Sequence, residues 1–146
     1  MTPDIETSTL RARQLINLTQ ALTERLGAER DAFRAHRAQD VAHGMAETQE
    51  LANLYRRESA QAKAAPAFLS VIPEAERDAL IAATEVFEAV LAEHALTVDA
   101  ARQVSEGLVR TIAAEVAGAR AQGAGYGASG RATEGDGRAV ALNRKA

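Results

Sequence analysis

No cysteine and no tryptophan occur in this chain. Without cysteine there is neither a disulfide framework nor a thiolate metal site, which suits a reducing, cytosolic setting. Aromatics are scarce: Phe33, Tyr55, Phe68, Phe87 and Tyr126 are the whole set, too few large side chains to fill a thick globular core at native density. Long apolar runs are also missing. Nothing approaches the roughly 20 residues needed to cross a bilayer, and the opening MTPDIETSTL has neither the basic nor the apolar region of a signal peptide. A soluble, cytoplasmic protein without membrane insertion is expected. A concentrated basic surface is lacking as well: residues 1–122 carry 13 basic and 18 acidic side chains. That balance argues against a nucleic-acid partner, because phosphate affinity rests on clustered positive charge. Residues 123–146, with four basic and two acidic side chains, are too weakly charged to supply it alone.

What the chain does have is alanine, 34 residues of it, and helical periodicity. Leu15, Leu18, Leu22, Leu26, Phe33, Val41, Met45, Leu51, Leu54 and Tyr55 recur mostly three, four or seven apart, and no proline interrupts residues 4–65. This predicts one long helix over about 5–63, starting at Thr2-Pro3 or at Ser8/Thr9, with Asp4 and Glu6 favourable near its N-terminal dipole. Gly27 and Gly44 are the points where it is expected to bend. The segment AAPAFLSVIPEAERD holds Pro66 and Pro73, which disfavour helix just before them, so residues 64–73 read as a turn. Phe68, Leu69, Val71 and Ile72 make that turn apolar enough to fold back and close one end of the helices.

Pro73, followed by Glu74, Glu76 and Asp78, marks the start of a second helix over about 74–122. Its stripe runs Leu80, Thr84, Phe87, Leu91, His94, Val98, Ala101, Ser105, Leu108, Ile112, Val116, Ala119, alternating three and four residues apart. The expectation is an all-α fold, a long antiparallel hairpin or elongated bundle over 1–122. Folding back would place Phe87 near Leu51 to Tyr55, and Leu26 near Ile112. The seam between the rods is imperfect, since Thr84, Ala101 and Ser105 on one helix and Glu29, His36 and Asp40 on the other stand where leucine would be expected. Three outcomes follow from that shortage: a third helical segment from the same chain, a homodimer, or an apolar groove for another protein's helix.

Six of the ten glycines fall after Gln122, so residues 123–146 read as a flexible tail. Its sequence GAGYGASG is not a dinucleotide loop, because a helix precedes it where a strand is needed. Tyr126 either packs back on the last helical turn or docks on a partner. His36, Asp40 and His43 have the spacing of three ligands on one helical face. The surrounding RAHRAQDVAHG is polar and Arg-rich, however, and reads as a solvated face rather than a zinc or iron site. A metal-dependent enzyme is correspondingly disfavoured. His94 falls on the seam, where a polar layer that fixes register is expected, and no nucleophile or paired acid accompanies it. No catalytic residue, cofactor or metal is assigned.

Two long helices, a Pro-marked apolar turn, the run AEHALTVDAARQVSEGLVRTIAAEV at 92–116 and YGASG at 126–130 resemble the FlgN family of flagellar type III export chaperones. The resemblance implies a cytosolic protein that binds hook-filament junction (hook-associated) proteins through their helical C-terminal segments and delivers them to the flagellar export gate. It also implies roles for particular residues: Leu91, Val98, Leu108 and Ile112 hold cargo, while Tyr126, a few residues before Gly130, docks on the gate. The competing expectation is a structural coiled-coil adaptor or dimerisation module with no secreted client.

Overall fold

The computed structural model describes residues 3–125, and they form an all-α protein with no strand among the described residues. Four helices follow in order: α1 (Ile5–Arg34), α2 (Ala38–Ala64), the single turn α3 (Phe68–Val71) and α4 (Glu74–Gly125). The chain divides into two compact units, Met1–Asp99 and Ala100–Ala146, and α4 contributes to both.

Asp4 caps α1, its carboxylate accepting from the Thr7 amide and hydroxyl at 3.1 Å each, with Glu6 in the first turn. This matches the earlier of the two expected starts, where an acidic cap satisfies free amides and opposes the helix dipole. The helix then ends at Arg34, which corrects the expected single rod over 5–63. Its C-terminus is a Schellman closure: the Arg37 amide donates to Ala32 O at 2.8 Å, and the His36 amide to Phe33 O at 3.1 Å. His36 takes the left-handed position with φ 58°, which glycine usually occupies. After this turn α2 runs back along α1.

Within the first unit, α1, α2 and the N-terminal part of α4 form a three-helix bundle. Arg25 of α1 reaches Gly44 and Thr48 of α2, and Tyr55 of α2 packs on Phe87 of α4, ring centroids 4.7 Å apart. Arg13–Glu76, Arg30–Glu93 and Glu29–His94 link α1 to α4 at near-constant sequence offset, so these two helices run in the same direction. The expected proximity of Phe87 to Leu51 and Tyr55 is present. Leu26, by contrast, packs with Leu22 and Phe87 and not with Ile112. The reversal at Ala35–Arg37 is the reason: it makes α2, not α1, antiparallel to α4. Of the three expected remedies for a thin seam, the chain uses a third helical segment of its own.

Two small cores hold this unit. Leu22, Leu26 and Phe87 are buried together, with Leu51, Ala52, Tyr55 and Val90 packed around them. Ala12, Phe68 and Ile72 form the other, with Ala62 and Leu69 against it, so the apolar Pro66–Pro73 segment does close one end. The Arg11 guanidinium lies 4.7 Å from the Phe68 ring centroid, a cation–π contact over the lid. Arg77 ties the lid to α4 by donating to Leu69 O at 3.1 Å.

Gly27 and Gly44 each sit inside an unbroken helix, so neither ends the element it lies in. At Gly44 a β-carbon would meet Arg25 Nη2 at 2.6 Å, so the missing side chain makes room for a crossing guanidinium. α4 passes through Gly107, Gly118 and Gly123 without a break, beyond the end expected at residue 122.

Candidate binding face of the fourth helix

The stripe of α4 behaves differently in the two units. At about 100° per residue, Ala83, Phe87, Val90 and His94 share one face, and in the first unit that face is covered: Ala83 and Phe87 are buried and Val90 packs on the core. His94 Nε2 lies 3.4 Å from Glu29 Oε1, with both side chains largely buried. This is a polar layer in the bundle seam, as the sequence suggests, and it is an imperfect one because Glu29 Oε2 is buried without a hydrogen-bond partner. Around it, Arg30 donates to Glu93 at 2.7 Å and Arg34 stands 3.7 Å from the same carboxylate. The Arg30 guanidinium is held charged above its ordinary range, first by its hydrogen bond to Asp31 and further by Glu93, against some desolvation.

Of the residues assigned to cargo, Leu91 and Val98 lie in this first unit, Leu91 at the rim with 42 % of its surface exposed and Val98 half-buried. Leu108 and Ile112 lie in the second unit, where they are 59 % and 51 % exposed. Tyr126 and Gly130, assigned to gate docking, lie outside the described residues. His36, Asp40 and His43 do not share a helix face, because His36 is the left-handed residue of the turn while Asp40 and His43 are on α2. Among the described residues no group of three or more His, Asp or Glu is placed to hold a metal ion.

In the second unit two residues outside the stripe, Val104 and Val109, join the stripe residue Val116 on the exposed face. Val104 and Val109 are strongly exposed, and Val116 is exposed beside them. By helical phase they flank Leu108 and Ile112 within an arc of about 140°. Their signal was present in the sequence as phase, but Val104 and Val109 are offset from the strict three-four alternation. A face of five large aliphatic side chains with no buried neighbour is what an amphipathic helix presents to a partner helix. Small side chains at Ala101 and Ser105 leave recesses on the same face. Chemically, these aliphatic side chains offer apolar area and shape and carry no group that donates, accepts or attacks.

No helix among the described residues is long and apolar enough to cross a membrane. The flagellar basal-body protein FlbY of Caulobacter vibrioides is 44 % identical to this chain over 139 residues, covering 93 % of each sequence. No family model matches the chain, and no solved structure matches it.

Proposed function

This chain belongs to the family of the flagellar basal-body protein FlbY, and we propose that it serves flagellar assembly as a cytosolic export chaperone. Its cargo is a helical segment of a hook-associated protein, held until delivery to the type III export gate. The observation that carries this reading is the uncovered face of α4 at Val104, Leu108, Val109, Ile112 and Val116. An amphipathic cargo helix laid there has its own apolar side shielded from aggregation and premature assembly. The family relation supports the flagellar setting. The resemblance of residues 92–116 and 126–130 to the FlgN family supports the finer role, in which Tyr126 and Gly130 act at the gate.

Capture of the tagged full-length chain from flagellated cells, with mass-spectrometric identification, tests the proposal. Hook-associated proteins are expected with the unaltered chain and are expected to fall at least tenfold with Leu108→Glu or Ile112→Glu, while circular dichroism stays unchanged. Recovery of basal-body components alone, insensitive to either substitution, overturns the chaperone reading in favour of a structural adaptor.

A further inference from the structure

We infer that residues 100–125 of α4 sit close to the balance between helix and coil in the free chain, and that Gly107 and Gly118 hold them there. Neither glycine is required by its surroundings. Both lie inside the helix, and a β-carbon at either would meet nothing within 4 Å, unlike Gly44 beneath Arg25. Alanine fits both positions and favours helix about fivefold more at each. The sequence forgoes that gain twice, about three turns apart on one side of the helix.

The rest of the stretch does not make up the difference. Four of its residues are glycine and five, Val104, Val109, Thr111, Ile112 and Val116, are β-branched, against eight alanines. An alanine favours extension of a helix by about 1.6-fold at best. A β-branched residue is about two- to threefold worse than alanine and a glycine about fivefold worse, so the product over the stretch comes out near or below one. Side-chain bonds add little. Arg110 donates to the Glu106 carbonyl and Thr111 to the Gly107 carbonyl, each four residues back, and Arg102 stands 3.9 Å from Glu106 in the weaker order for such a pair. Leu108, Val109 and Ile112 are more than half exposed, so burial, the usual source of helix stability in proteins, contributes little here. α4 does start inside the three-helix bundle, which spares this stretch a nucleus of its own. Helix therefore extends outward from the bundle and frays from the far end. A partner that needs the helix is bound more weakly in proportion to the fraction of time the helix is formed. On the chaperone reading this favours release of cargo at the gate, although the balance itself requires no client.

Amide hydrogen exchange on the purified full-length chain tests the inference, with the amides of the buried Leu22 and Leu26 in α1 as the internal reference. Amides of residues 104–118 are expected to exchange on the order of a hundredfold faster than that reference. Exchange as slow as the reference overturns the inference. In the double variant Gly107→Ala/Gly118→Ala the same amides are expected to slow by about fivefold or more, and the far-ultraviolet ellipticity to deepen, while the α1 amides keep their rates. No change in the exchange of residues 104–118 overturns the role given to the two glycines. In the capture experiment the double variant is expected to recover about threefold more hook-associated protein than the unaltered chain, because its helix is formed beforehand. A fall in recovery instead marks the glycines as points of close approach for a partner and overturns the effect on affinity. Failure to capture any hook-associated protein counts against the chaperone reading alone, since exchange and ellipticity are read on the free chain.

Discussion

Arg25 lies across Gly44, its Nη2 donating to the Gly44 carbonyl at 2.7 Å in the space where any other residue would carry a β-carbon. The same guanidinium donates to Thr48 Oγ1 at 3.3 Å and stands 3.1 Å from the Glu47 carboxylate, so one side chain clasps two helices. Arg25→Ala is expected to lower stability by about 1–2 kcal/mol, mostly through the lost charge-assisted bond to a carbonyl. Gly44→Ala is expected to change it by less than about 1 kcal/mol, since alanine favours helix while the flexible guanidinium end must shift. Urea denaturation followed by circular dichroism measures both.

The left-handed residue in the α1–α2 turn gives a prediction of opposite sign. His36→Gly is expected to stabilise the chain by about 1 kcal/mol, because glycine meets no β-carbon penalty at φ 58°. His36→Val, which is β-branched, is expected to destabilise it by at least about 1 kcal/mol. The urea midpoint distinguishes them without any assumption about partners.

Phe87 and Ile112 occupy the same stripe of α4 with opposite surroundings, 7 % and 51 % exposed respectively. Phe87→Ala is expected to cost about 3–4 kcal/mol by emptying the core against Leu22, Leu26 and Tyr55. Ile112→Ala is expected to stay within about 0.5 kcal/mol in stability. Any loss it causes appears in binding. Parallel denaturation and capture experiments on the two variants show the division.

The Glu29–His94 layer is expected to cost stability relative to an apolar one, since Glu29 has a buried oxygen with no partner. Replacing both by leucine is expected to raise stability by about 1–2 kcal/mol. Glu29→Leu alone gains less, because it strips His94 of its partner. If the polar layer fixes pairing register, the double variant also broadens amide NMR signals along α1 and α4.

Much of this architecture is readable from residue order. Asp4 and Glu6 announce a helix start, Pro66 and Pro73 announce a turn, and the apolar Phe68 and Ile72 between them announce that the turn packs inward. The reversal at Ala35–Arg37 is not readable in the same way. It contains neither glycine nor proline, and a single histidine in the left-handed region, costing about 1–2 kcal/mol, is outweighed by burial of residues such as Val41, 4 % exposed. Wide spacing between Phe33 and Val41 was the one local hint. A single rod in place of α1 and α2 sets Leu26 beside Ile112, because the direction of α4 relative to α1 depends on how many times the chain turns. On the candidate face, Leu108 and Ile112 follow from periodicity. Val104 and Val109 stand off the strict alternation, and it is their exposure that adds them to the face.

The parallel course of α1 and α4 also has a temporal side. Their polar links join residues 63 to 65 positions apart, whereas α1 and α2 meet across a three-residue bend. During synthesis the first two helices can therefore close early, but Leu22 and Leu26 keep an open flank until Phe87 has left the ribosome. A protein proposed to shelter the sticky helices of others must first wait for the rest of its own.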